Sequence, residues 1–118
     1  MTTAPLTRRP APSPAAVALA AQCRKAKALA DDAPTRFGHL PTTAEATAAG
    51  GEVQFIVRPT SLADWVRWTV ALGVHGHRGS STGAQMVVRF EVGGVRGRLI
   101  GVGVPALFAE VYGGSSRV

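Results

Sequence analysis

The residues with the most chemical capacity lie together in one glycine-rich stretch, GVHGHRGSSTG, from Gly73 to Gly83. Two histidines, one arginine and three hydroxyl side chains stand there among four glycines. His75 and His77 offer two imidazoles, which are too few ligands for a protein metal site. The backbone amides, Arg78 and the hydroxyls could instead cradle a phosphate. The spacing does not match a Walker loop and no helix follows it, so we interpret the stretch as a polar connector, with anion binding as the alternative.

No catalytic constellation is visible elsewhere in the sequence. An enzyme of this size would be expected to show a nucleophile with a base, paired carboxylates or a set of metal ligands. The seven acidic residues are scattered, and Cys23 has no histidine close to it in sequence. We therefore expect a protein that is not an enzyme, with no catalytic residues, no metal and no other cofactor.

The composition indicates which partners the chain can attract. Basic residues outnumber acidic residues by 13 to 7, and eleven of the 13 are arginine, whose forked guanidinium suits phosphate and carboxylate groups. This balance favours an acidic protein or a nucleic acid as partner. The single cysteine excludes an internal disulfide and fits a cytoplasmic location. Since no apolar run approaches the roughly 20 residues of a membrane span, we expect no membrane partner.

The ends of the chain differ in composition from its second half. Residues 1–12 are rich in proline and lack large apolar groups, which predicts a disordered tail. A separate N-terminal helix is predicted over residues 13–32, because Ser13 can cap it and alanine is the commonest residue within it. Residues 33–51 mix proline, threonine and glycine and predict a linker. Residues 114–118 predict a frayed tail.

Residues 52–113 carry the patterns of a compact domain. The run EVQFIVR, which begins at Glu52, alternates apolar and polar residues as a half-buried strand does. SLADWVRWTVAL follows as a helix with a capping box of Ser61 and Asp64. PALFAEVY begins with a proline and predicts a short closing helix over residues 105–112.

A β-hairpin is the strongest tertiary prediction. Two strand-like runs, 85–92 and 95–102, flank Gly93-Gly94, a pair suited to a two-residue turn. Such a turn fixes the register, so that Phe90 faces Gly97 and Arg89 faces Arg98. One face then holds only apolar side chains, on which the helix should pack: Met86, Val88, Phe90, Val92, Val95 and Leu99. The fold predicted is α+β, a small three-stranded antiparallel or mixed sheet in the order β-α-β-β-α, packed on one helix and preceded by the separate N-terminal helix.

The opposite face of the predicted sheet divides into a charged end and an apolar end. Arg89 and Arg98 form a like-charge pair there, which Glu91, dissolved salt or an anionic ligand must relieve. The candidates for nucleic-acid or anion binding are Arg58, Arg78, Arg89, Arg96 and Arg98. The candidates for a protein interface are Ile56, Val87, Ile100, Val102 and Trp68, the last at the edge of the helix's apolar stripe.

These surfaces lead to two functional hypotheses. The first is a small non-enzymatic binding module that acts as a regulatory, adaptor or assembly protein through a sheet face or edge. Its partner would be another protein or a second copy in a homodimer, because the apolar patch needs cover. The alternative is a nucleic-acid-binding protein that uses the arginine-bearing face.

Overall fold

Helices and strands account for most of the described chain. The computed structural model describes residues 11–42, 44–77 and 79–113. The helices are α1 (Pro14–Arg36), α2 (Leu62–Ala71) and α3 (Val104–Phe108), and a π-helical turn, Ala109–Gly113, follows α3. The strands are β1 (Glu45–Ala49), β2 (Glu52–Val57), β3 (Ser80–Thr82), β4 (Gln85–Val92) and β5 (Val95–Val102).

The strands form one mixed sheet in the order β1-β2-β5-β4-β3. Strands β2 and β5 run parallel, and every other neighbouring pair is antiparallel. The predicted α+β class is confirmed, but the predicted three-stranded sheet is wrong because β1 and β3 extend it to five strands. Their sequences, EATAA and SST, contain no large apolar residue, so alternation of apolar and polar residues could not reveal them.

The segment predicted as a linker, residues 33–51, contains regular structure instead. Helix α1 continues to Arg36, past its predicted end at residue 32, since Ala33 and the following Phe37 are buried in the core and packing favours the extra turn. Strand β1, of five residues, lies in the remainder of the segment. Residues 1–10 of the predicted disordered tail and the predicted frayed tail, residues 114–118, lie outside the described residues.

The β4–β5 hairpin is present with the predicted register. Arg89 lies opposite Arg98, and Phe90 lies opposite Gly97. The glycine is required at its position, because a Cβ there would overlap the Phe90 ring and would lie 2.6 Å from the carbonyl oxygen of Val53. Phe90 can therefore lie flat across the sheet, where its ring stacks on Phe55 at a centroid distance of 5.5 Å.

Both long helices pack on the same face of the sheet, which we call the inner face. The N-terminal helix, predicted to be separate, buries Ala26, Leu29 and Ala33 in the core. Gln22 in the same helix donates a hydrogen bond of 2.9 Å from its Nε2 to the carbonyl oxygen of Gly94 in the hairpin turn. Helix α1 therefore belongs to the same packed unit as the sheet.

Trp68 was predicted at a protein interface, and the structure places it in the core instead. Its side chain is 0% exposed and lies beside the rings of Phe37 and Phe55, at centroid distances of 5.8 Å and 6.4 Å. Its indole Nε1 donates a hydrogen bond of 3.2 Å to Thr42 Oγ1. Phe37 and Thr42, which follow α1, therefore cover the indole ring. Their position over α2 is a tertiary feature that the local sequence does not encode.

Candidate binding surface

The face of the sheet opposite the helices, which we call the outer face, has no helix packed on it in the described parts of the chain. The buried apolar residues of α1, α2 and α3 all belong to the inner-face core. Alternation along the three central strands sends every second side chain to the outer face: Glu52, Gln54, Ile56, Gln85, Val87, Arg89, Glu91, Arg96, Arg98, Ile100 and Val102. This surface contains four of the five predicted interface residues.

An apolar row crosses the centre of the outer face. The strand registers set Ile56 beside Ile100 and Ile100 beside Val87, on three adjacent strands. All three side chains are half-buried, as is Val102, two residues farther along β5. These four residues match the predicted protein interface except for Trp68. They form a continuous apolar strip, the kind of surface that marks a binding site when it is left uncovered.

An arginine pair lies directly beside the apolar row. Arg89 of β4 and Arg98 of β5 are cross-strand neighbours, and both are exposed. Among the described residues, neither guanidinium has a carboxylate within 4.0 Å, since the ion pairs found there join Lys27 to Asp31 and Arg58 to Glu45. Glu91, two residues from Arg89 along β4, is not an ion-pair partner at that distance. The like-charge contact is therefore relieved by solvent and salt, or by an anion.

The glycine-rich stretch and the arginine pair meet in one groove of about 440 Å³ at the β3 edge of the sheet. Its walls are His77, Ser80, Thr82, Val87, Arg89 and Arg98. No carboxylate is among these wall residues. The sequence showed the loop and the hairpin as separate features, and the pairing of β3 with β4 brings Ser80 next to Val87 and so joins them. We call this the β3 groove.

The remaining predicted arginines have different surroundings. Arg58 pairs with Glu45 Oε1 at 2.8 Å, which neutralises it locally. Arg96 lies opposite Glu91 across the hairpin, so an acidic side chain shares its end of the face. Arg78 lies outside the described residues. Among the four that the structure describes, Arg89 and Arg98 are the pair that lie directly opposite each other on neighbouring strands.

Aromatic side chains are absent from the outer face. Five of the chain's seven are buried in the inner-face core: Phe37, Phe55, Trp65, Trp68 and Phe90. Phe108 packs against that core, and Tyr112 stacks on Phe108 at a centroid distance of 6.0 Å. Proteins that bind single-stranded nucleic acid commonly stack bases on exposed aromatic rings, and this face has none to offer.

A second cleft, of about 340 Å³, has the charged or titratable residues Glu52, His77, Arg89, Glu91 and Arg96 in its walls. Within residues 11–42, 44–77 and 79–113, no group of three or more His, Cys, Asp or Glu side chains could hold a metal ion. No helix in those ranges is both long and apolar enough to cross a membrane. Comparison with known proteins gives no match to a family model, to a curated protein or to a solved structure. Function must be inferred from the surface itself.

Proposed function

We propose that this protein is a small, non-enzymatic binding module that docks an acidic protein partner on the outer face of its sheet. The observation that carries the proposal is the apolar row of Ile56, Ile100 and Val87, which lies uncovered in the described residues and borders an arginine pair that lacks a nearby carboxylate. An apolar centre with a charged margin is the usual anatomy of a protein interface.

Charge complementarity is the reason for proposing an acidic partner. The chain carries a net charge of +6, which accelerates encounter with negatively charged proteins. Once such a partner is docked on the apolar row, its carboxylates can reach Arg89 and Arg98, which are exposed and lie side by side. Bidentate bonds from guanidinium to carboxylate would then fix the register of the partner.

A second copy of the chain complements this surface less well. If two copies pack row on row with the two-fold axis along the strands, Arg89 and Arg98 meet the same arginines of the other copy. If the axis runs along the row, they meet Val102 and Gln85, which lie on the other side of the row and carry no negative charge. Neither arrangement supplies an acid to the arginine pair.

Nucleic acid is the second candidate, and the arginine pair is the observation that favours it. The absence of aromatic rings on the outer face weighs against it, because bases of single-stranded nucleic acid commonly stack on such rings. We therefore place protein binding first.

Site-specific photocrosslinking tests the proposal. A photoreactive amino acid is placed at Ile100 in the full chain, expressed in cells of the source organism. The matched control has the same group at Val17, an apolar residue of α1 that is 53% exposed and far along the chain from the outer face. We expect the Ile100 probe to capture one protein of net negative charge that the Val17 probe does not capture. Adding the Val87→Thr substitution, which removes apolar surface beside the probe, should reduce the yield.

Each other result contradicts the proposal in a recognisable way. A crosslinked product of two copies of this chain would replace the acidic partner with self-association. Crosslinks to nucleic acid, together with a mobility shift that weakens steeply with salt, would favour the second candidate. Equal products from the Ile100 and Val17 probes, or no product from Ile100, would show that the outer face is not a docking surface.

A further inference from the structure

We propose that the β3 groove is a binding site for a phosphate group carried as a monoester or as inorganic phosphate. This inference goes beyond the proposed function, because it assigns the groove a small ligand of its own and does not require a protein on the apolar row. The site is composed of side chains from three elements that the sequence alone does not bring together. They are the loop before β3, the edge strand β3 and the β4–β5 hairpin.

Electrostatics is the first argument for a bound anion. Side chains directly opposite on antiparallel strands lie roughly 5 Å apart at Cβ, and like charges there repel. Arg89 and Arg98 occupy such positions, and no carboxylate is among the residues that line the groove they share. A dianion bound between the two arginines would offset this repulsion.

The number of hydrogen-bond donors in the groove favours phosphate over a carboxylate. One guanidinium fork satisfies both oxygens of a carboxylate, whereas the groove offers two forks, the His77 imidazole and the hydroxyls of Ser80 and Thr82. Among the described residues, none of these five side chains makes a side-chain hydrogen bond or an ion pair within the protein. A phosphate has more acceptor oxygens than a carboxylate and can bond more than one of these donors.

The placement of the hydroxyls supports the same ligand. Ser80 and Thr82 alternate along β3, so both point to the outer face, and their registers place them beside Val87 and Gln85. Strand β3 is an edge strand with exposed residues, which leaves the groove open to solvent on that side. Val87 forms part of the lining between the hydroxyls and the arginines, so the polar groups surround a small apolar floor. A phosphate can enter from solvent without any rearrangement of the sheet.

Calorimetric titration of the full chain with inorganic phosphate at constant ionic strength tests the site. The variants are Arg89→Gln and Arg98→Gln, and the matched control is Arg67→Gln, an exposed arginine of α2 outside the groove. We expect each groove variant to bind phosphate about tenfold more weakly, because it loses one charge-assisted fork. The control should change the dissociation constant by less than about twofold, because a charge far from the site is largely screened.

The unfolding temperatures of the groove variants distinguish a loss of phosphate binding from a loss of stability. Each removes one member of a like-charge pair, so it should unfold at the same temperature as the parent chain or a higher one. Phosphate should then raise the unfolding temperature of the parent and of Arg67→Gln by more than that of the groove variants, which bind it more weakly. Equal responses of all four proteins to phosphate would overturn the proposal. Acetate binding as tightly as phosphate at the same ionic strength would overturn it as well, because a carboxylate needs only one fork.

Further titrations identify the source of the phosphate. O-phosphoserine and a phosphoserine peptide represent monoesters, and a single-stranded oligonucleotide represents diesters. Monoester binding that depends on Arg89 and Arg98 supports the proposal, with tighter binding of the peptide pointing to a phosphorylated partner. Binding of the oligonucleotide without binding of any monoester would overturn it. An Ile56→Thr/Ile100→Thr variant changes two residues of the apolar row that do not line the groove, so it should keep its phosphate affinity while losing the protein partner, and the two proposals can fail separately.

Discussion

The inner and outer faces of the sheet are made by the same three central strands, and their apolar side chains have different surroundings. On the inner face, Phe55, Phe90 and Leu99 are buried beneath α1 and α2. On the outer face, Ile56, Ile100 and Val87 are half-buried without a helix over them in the described residues. The inner face carries large aromatic groups that need permanent cover, whereas the outer face carries β-branched residues flanked by arginines. Such a surface can remain exposed to water in the free protein and become buried when a partner binds.

Removing the Trp68 side chain from the core should have the largest effect on stability. Trp68→Ala should lower the free energy of unfolding by about 3–5 kcal/mol, because it leaves a cavity beside Phe37 and Phe55. Urea denaturation measures the change. Trp68→Phe keeps most of the apolar volume but loses the hydrogen bond to Thr42, so it should lower the free energy of unfolding by less. This variant replaces Trp68→Ala in the measurement if the alanine variant does not fold. A loss below about 1 kcal/mol for Trp68→Ala would mean that the indole is not packed as described.

Adding one methyl group at Gly97, on the inner face, should have the next largest effect on stability. Gly97→Ala places a Cβ against the Phe90 ring and 2.6 Å from the Val53 carbonyl oxygen, so we expect a loss of roughly 1–3 kcal/mol in unfolding free energy. The comparison is Arg98→Ala, the next residue, which points to the outer face. It should change stability by no more than about 0.5 kcal/mol. Similar losses at both positions would contradict the assignment of faces.

Substitutions in the apolar row should affect binding far more than folding. Val87→Thr/Ile100→Thr keeps β-branched side chains in both strands, so the free energy of unfolding should fall by less than about 1 kcal/mol. Affinity for the crosslinked partner should fall about tenfold or more, because the interface loses apolar contact at its centre. Denaturation and calorimetry measure the two quantities. A large stability loss with unchanged affinity would show that the row is structural.

The smallest expected effect is at the exposed ion pair of the outer face. Glu45→Gln removes the partner of Arg58, and both side chains are about 60% exposed. Unfolding free energy should change by less than about 1 kcal/mol, and high salt should abolish the difference, because water screens such pairs. A larger, salt-independent loss in urea denaturation would mean that the edge strand β1 depends on this contact.

Local sequence was enough to predict the hairpin and not enough to predict the whole sheet. The pair Gly93-Gly94 fixed the register that sets Arg89 opposite Arg98. A second glycine pair, Gly50-Gly51, makes the β1–β2 turn with positive φ values of 62° and 82°, and this signal was present in the sequence but was interpreted as part of a linker. Strand β3 ends at a two-residue turn, Gly83-Ala84, whose glycine has a positive φ of 60°, but the serines and threonine of the strand are also common in loops.

The candidate surface was likewise predicted only in part. The pairing of Val87 with Ile100 in the apolar row follows from alternation and from the hairpin register, both of which are local, whereas Ile56 joins the row through the parallel pairing of β2 with β5, which is not local. The β3 groove depends on an edge strand and on His77 in the preceding loop, so it appears only once the chain has folded. Trp68 was misplaced for the same reason, because its cover comes from Phe37 and Thr42, more than 20 residues earlier in the chain.

Thiol labelling of two adjacent valines tests most directly whether one face of the sheet is covered and the other is open. Val87 is half-buried on the outer face, and Val88 is 4% exposed on the inner face. Val87→Cys and Val88→Cys are made separately in a Cys23→Ala background and treated with a small thiol reagent under native conditions. The structure predicts that the thiol at position 87 reacts at least about a hundredfold faster than the thiol at position 88, which must wait for local opening of the core. Equally slow reaction at both positions would show that the outer face is already covered in the free protein and would contradict the account.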